Sequence, residues 1–151
     1  MIKSKVYLDT TVPSAYFDNR TTDRQRLTRE FWDECLPELE IFISDIVLAE
    51  ITNTSDIQRR TEIESLVKNF QILIFNEEAS KLADEYIKHG LFPEKSIDDA
   101  THVAIAVVNG IDYLASWNFK HLVKVKTKRG INLINILKGY NFIEIVTPPE
   151  L

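Results

Sequence analysis

Short apolar runs alternate along this chain with longer stretches in which apolar residues recur every three or four positions. The short runs are Val6-Tyr7-Leu8, Ile41-Phe42-Ile43, Ile72-Leu73-Ile74-Phe75, Tyr113-Leu114-Ala115 and Phe142-Ile143-Glu144-Ile145-Val146. They are rich in β-branched and aromatic residues and bounded by polar ones, which predicts strands. Residues 22–36 carry Leu27, Phe31 and Leu36 on one stripe, as an amphipathic helix does. Further helices are predicted over 45–53, 56–69, 77–89 and 96–109, the last two stopping at Gly90 and Gly110. In the last of them Val103–Val108 is apolar nearly all round, so that helix must be largely buried. Strands alternating with helices predict an α/β fold in which helices cover a mostly parallel sheet of four to five strands.

Composition narrows this picture. A chain of 151 residues, 44% of them hydrophobic, fits one domain over 1–151 and has enough apolar side chains for a sizeable core. Its four Gly and five Pro are scattered, leaving no linker-like stretch. The lone Cys35 has no internal disulfide partner, which suits a reducing compartment. The apolar stretch after Lys5 is too short for a secretory signal, and no run approaches the ~20 apolar residues that span a bilayer. The expectation is a soluble, cytoplasmic protein without membrane attachment.

Charge changes the picture in one place. Twenty-three acids against 18 bases give a net charge of −5, which excludes a protein that coats nucleic acid through bulk charge. From Tyr113 to Ile143, however, there is no Asp or Glu, while Lys120, Lys124, Lys126, Lys128, Arg129 and Lys138 fall in that window. Such a window reads either as a solvated basic surface or as a phosphate-binding one.

Three carboxylates break the local pattern. Asp9 follows the first strand directly, which puts it at the carboxyl edge of the sheet, where open α/β folds bind ligands. Glu50 ends the apolar run Ile46–Ala49 on the side of Ile46, and Asp99 opens the buried helix beside Asp98. Each has an ordinary explanation: a cap, a dipole partner, an acid leaning out to water. Brought together, they would repel one another and raise one another's pKa, an arrangement that a cation relieves. Oxygen donors and the lack of a Cys or His pair at zinc spacing point to Mg²⁺ or Mn²⁺, ions that commonly bind one or two carboxylates, waters and a substrate phosphate.

Four segments in order carry a resemblance: Val-Tyr-Leu-Asp-Thr-Thr (6–11), Leu-Ala-Glu-Ile (48–51), Asp-Asp-Ala-Thr-His-Val-Ala-Ile-Ala (98–106) and Asp-Tyr-Leu-Ala-Ser-Trp-Asn-Phe-Lys-His-Leu (112–122). Nearly the whole chain resembles the PIN domain, and most closely the toxins of VapBC-type toxin–antitoxin systems. The resemblance implies a three-layer α/β/α sandwich and a Mg²⁺-dependent endoribonuclease leaving a 5′-phosphate and a 3′-hydroxyl. It implies Asp9, Glu50 and Asp99 as metal-holding acids, and Thr10 as the hydroxyl residue that supports the site on the substrate side. Asn118 stands where many members carry a fourth acid, so it can offer an oxygen but no charge, which puts a second metal position in question. Lys120, His121 and Lys124 are then the phosphate-contacting residues nearest the site. An antitoxin partner and self-pairing are further implications, with 22–36 and 56–69 as candidate interface helices.

Neighbouring residues keep other readings. Asp98 is a helix cap or an outer acid, since consecutive helical side chains point about 100° apart. His102, one turn after Asp99, is either a structural residue or a hydrogen-bond partner for a carboxylate. Trp117 and Phe119 are core aromatics or base-stacking ones. Two rivals differ in class. A haloacid-dehalogenase-type phosphohydrolase wants a second Asp where Thr11 stands. A non-catalytic RNA- or partner-binding module would explain Asn118 by a lost reaction.

Overall fold

The structure is a computed structural model that describes residues 2–151. Five strands, β1 (Lys5–Leu8), β2 (Glu40–Ser44), β3 (Gln71–Leu73), β4 (Tyr113–Ala115) and β5 (Glu144–Val146), form one sheet in the order β3-β2-β1-β4-β5. Every neighbouring pair is parallel. Seven α-helices connect them: α1 (Thr11–Tyr16), α2 (Thr22–Glu30), α3 (Asp45–Thr52), α4 (Ile57–Val67), α5 (Glu77–Lys88), α6 (Ile97–Val108) and α7 (Val125–Leu137).

Parallel strands need crossovers, and crossovers between them are right-handed. The chain steps from β1 to β2 to β3 in one direction, which lays α1–α4 on one face. It then returns past β2 and β1 to β4 and β5, which lays α5–α7 on the other. The packing agrees: α1 meets α2 and α4, α3 meets α4, and α5 meets both α6 and α7. With helices on both faces the central strands are buried on both sides, and Val6, Tyr7, Leu8 and Ile43 are fully enclosed. The three-layer α/β/α arrangement is therefore the observed one. Among the described residues no helix is long and apolar enough to cross a membrane.

The elements depart from the sequence pattern at three places. The amphipathic stretch 22–36 is α-helical only to Glu30. It continues as a π turn over Phe31–Cys35 and a 3-10 turn over Leu36–Glu38, because Pro37 brings no amide hydrogen to extend the ladder. Helix α1 is too short to show a period and holds Pro13 in its first turn. Helix α7 is masked by Thr127, Gly130, Asn132 and Asn135, which are weak helix formers. Packing explains two of them. The Asn132 side chain grips Ile143 by both its N–H and its carbonyl oxygen, at 2.8 Å each, tying α7 to the residue that leads into β5. At Gly130 a Cβ would fall 2.3 Å from a Leu91 methyl.

The topology fixes where ligands go. β1 lies between β2 and β4, reached by crossovers running in opposite directions, so the carboxyl ends of β1 and β4 flank a switch point. In open α/β sheets that crevice is the ligand site.

Candidate active site

Asp9 leaves β1 at this crevice and is 2% exposed. Its two oxygens are held by neutral donors. Oδ1 accepts the Thr11 N–H at 3.0 Å and the Thr11 hydroxyl at 2.5 Å, and Oδ2 accepts the Ser116 hydroxyl at 2.5 Å. Ser116 comes one residue after β4, so the ends of the two strands at the switch point are stitched through this carboxylate. Burial raises the Asp9 pKa; the His102 charge and the Ser116 and Thr11 hydrogen bonds offset only part of that.

From Ser116 the network continues to the third acid. The Ser116 hydroxyl accepts the Asn118 N–H at 2.9 Å, and Asn118 Nδ2 donates to Asp99 Oδ1 at 3.1 Å. The Asn118 carbonyl oxygen accepts the His121 N–H at 3.0 Å and so shapes the turn after β4. Asn118 thus clamps Asp99 with its amide, a contact that a carboxylate at this position would lack. Asp99 is half-buried in the first turn of α6, and burial raises its pKa too, with the Glu50 charge adding to the effect.

Glu50, in α3, is treated differently. Its Oε1 accepts the Thr10 hydroxyl at 2.7 Å and is 2.6 Å from His102 Nε2. With Glu50 ionised, that nitrogen must donate. His102 Nδ1 meets the Tyr7 hydroxyl at 2.7 Å, which meets the Ser44 hydroxyl at 2.7 Å, while Ser44 caps α3 through the Val47 N–H. Burial pushes the Glu50 pKa up, but the hydrogen bond and charge of His102 and the Thr10 bond outweigh it and leave it lowered. Burial likewise works against the His102 cation, yet Glu50, Asp9 and Asp99 together leave its pKa raised. The two shifts both favour the charged form of the pair, which bridges α3 and α6.

Each acid predicted from the sequence therefore reaches the same crevice, joined by Ser116 and Asn118 on one side and His102 and Thr10 on the other. Thr10 supports Glu50, and His102 is the carboxylate partner. Asp98 points outward and is exposed. Lys120 and Lys124 are exposed in the turn between β4 and α7 and make no ion pair among the described residues; His121 lies close enough for its charge to act on Asp99. The sequence reading passed over Tyr7, Thr11, Ser44 and Ser116. The signal was there: a hydroxyl in a fully buried strand, or at the end of one, must find a partner.

The PIN-domain family profile matches residues 6–122, from β1 to the turn after β4. The chain belongs to the PIN-domain family. No curated protein sequence matches it. The structure of this PIN domain is similar to that of VapBC-1 from nontypeable Haemophilus influenzae, with a TM-score of 0.59 and 18% identity, covering 95% of this chain and 98% of that one. It is similar to VapC20 of Mycobacterium tuberculosis, described as a toxin that cleaves the Sarcin-Ricin loop (TM-score 0.58, 16% identity, 92% and 98% covered). It is also similar to VapBC2 from Rickettsia felis bound to a fragment of promoter DNA (TM-score 0.56, 15% identity, 93% and 96% covered). At these identities the likeness is one of fold.

The donor chemistry of this PIN domain fits the hard divalent ion implied by the family. Among the described residues Glu50 Oε2 and Asp99 Oδ2 accept no hydrogen bond and Asp9 Oδ2 accepts one, so each acid retains an open lone pair. Among the described residues no three His, Cys, Asp or Glu groups converge closely enough to cage an ion. Mg²⁺ requires no such cage, since one or two carboxylates with waters and phosphate oxygens complete its shell.

Proposed function

We propose that this PIN domain is a Mg²⁺-dependent endoribonuclease, the toxin of a VapBC-like pair, working on RNA in the cytoplasm. The observation that carries this reading is the crevice itself. A buried carboxylate, Asp9, and a half-buried one, Asp99, come from different parts of the chain, are held by neutral donors and have their pKa raised, a combination that favours capture of a cation. The neighbouring VapBC complexes support a protein antitoxin as the partner.

In this mechanism Asp9 and Asp99 would hold the ion, with Glu50 supporting them from outside its immediate shell. When bound, it supplies polarisation of the scissile phosphate and acidification of a water. The protein's own work is positional. Thr11 and Ser116 fix the Asp9 carboxylate, Asn118 fixes that of Asp99, and His102 with Thr10 fixes that of Glu50. Lys120, His121 and Lys124, in the turn that follows Asn118, hold the RNA backbone without reading its bases.

Purified protein incubated with single-stranded RNA and Mg²⁺ is expected to cleave it and to stop when EDTA is added. Asp9→Asn should abolish cleavage while circular dichroism shows an unchanged fold. Full activity in the purified variant would remove Asp9, and with it the reading.

A further inference from the structure

Beside the acid cluster, three planar groups gather that the proposed mechanism does not use. The Arg24 guanidinium of α2 lies 5.2 Å from the Phe119 ring centroid and 5.8 Å from that of Trp117. The two rings are 6.1 Å apart at 57°. Trp117 is a support: it is 6% exposed, and its indole N–H donates to Thr28 at 2.9 Å, locking the ring against α2. Phe119 has no such excuse. It follows Asn118 directly and is 46% exposed, a large aromatic open to water one residue from the clamp on Asp99. Arg24 makes no ion pair among the described residues.

A cavity of about 220 Å³ adjoins Arg24 and Trp117, lined by these two with Thr11, Ser14, Asp18 and Thr21, while Phe119 stands outside the lining, against Arg24. Thr11 belongs to both the cavity and the acid site: its hydroxyl holds Asp9 and accepts the Trp117 N–H at 2.9 Å. A strand whose phosphate reaches the acids therefore brings its adjoining nucleotide to this cavity. The volume lies below the roughly 300–1,000 Å³ of a pocket that takes a whole small ligand, and suits one base of a longer strand. The lining suits a base. Asp18 is paired with the Arg20 guanidinium at 3.0 Å, which leaves Arg24 as the one uncompensated charge of the lining, and the Ser14 and Thr21 hydroxyls offer hydrogen bonds to a base edge.

We propose that the exposed Arg24–Phe119 pair at the edge of this cleft is a base-stacking subsite, on which one unpaired nucleobase next to the cleaved phosphate stacks. Unpaired bases stack on aromatic rings and on guanidinium planes alike, and such contacts tolerate many sequences while excluding duplex. The proposal rests on the nuclease reading and extends it from backbone contacts to a base contact made by two named side chains.

The test is fluorescence anisotropy of a labelled single-stranded RNA oligonucleotide bound to the full chain in EDTA, alongside cleavage by the wild type in Mg²⁺. Phe119→Leu keeps apolar bulk and loses the ring; Arg24→Lys keeps the charge and loses the plane. Each is expected to weaken binding by about tenfold with an unchanged circular dichroism spectrum, Phe119→Trp to retain it, and a duplex of the same sequence to compete poorly. Wild-type affinity in both Phe119→Leu and Arg24→Lys overturns the subsite, as does a loss seen with Arg24→Ala but rescued by Lys. If the wild type cleaves and the variants bind normally, the subsite alone falls. If the wild type neither binds nor cleaves RNA, the nuclease reading falls and takes the subsite with it.

Discussion

Asp9 and Glu50 stand at the same edge of the sheet, yet one is held by hydroxyls and an amide and the other by an imidazolium. Asp9 receives three neutral hydrogen bonds and its pKa is raised by burial. Glu50 is bonded to His102 and its pKa is lowered. Neutral donors orient a carboxylate without cancelling its charge, whereas an enclosed cation does both. The demand for a positive charge therefore sits at Asp9 and Asp99, and Glu50 already has a cation of its own. One residue type serves two purposes within one crevice, according to what the chain places opposite it.

The largest expected effect follows from that contrast. In calorimetric titration of the apoprotein with Mn²⁺, Asp9→Asn and Asp99→Asn are expected to remove detectable binding. Glu50→Gln should weaken it by roughly ten- to hundredfold, the scale seen when a supporting outer group is lost. A loss with Glu50→Gln as complete as with Asp9→Asn would put Glu50 level with the other two and dissolve the contrast.

The ion pair itself is the next point of attack. His102→Ala leaves Glu50 without its cation and Tyr7 with Ser44 alone as a partner, and is expected to destabilise the apoprotein by about 2–3 kcal/mol in urea unfolding. That is below the range for fully buried pairs, because the Glu50 side chain is 33% exposed. The same pair gives a pH dependence of known sign. The folded pKa of His102 is raised above its ordinary 6.5, so its contribution is fully present below pH 6.5 and is lost as the pH rises through the raised value. Thermal midpoints in EDTA should fall over that interval in the wild type and flatten in His102→Gln. A wild-type midpoint that rises there would mean that His102 is neutral throughout.

These contrasts explain what the sequence could and could not disclose. The strand-and-helix alternation was legible because buried parallel strands are continuous apolar runs, and Asp9 stood out because a charge ends one of them. The Asp99 position was legible for the same reason, at the mouth of the apolar helix α6. Opposing roles for Asp9 and Glu50 were not legible, since they depend on which side chain lies across the crevice: Ser116 from β4 for one, His102 from α6 for the other. Helix α7 stayed hidden because its polar positions serve tertiary ties, such as Asn132 to Ile143, that leave no helical period.

Asn118 offers the finest test, because there the contrast can be shifted by one atom pair. Its Nδ2 donates to Asp99 while its Oδ1 accepts the His121 N–H. Asn118→Asp keeps the acceptor, so the turn survives, but it replaces a donor by a third unneutralised carboxylate beside Asp99 and Asp9. Two such charges about 4 Å apart repel by roughly 4 kcal/mol at the effective dielectric near a protein surface. Rotation of the side chain and retention of one proton reduce this, and the expected loss in EDTA is about 1–2 kcal/mol. Mg²⁺ should reverse the order, because the added carboxylate becomes a further oxygen donor for the ion. Equal urea midpoints for wild type and Asn118→Asp, with and without Mg²⁺, would mean that Asp99 carries no uncompensated charge, and that the crevice differs less from the Glu50 side than its hydrogen bonds imply.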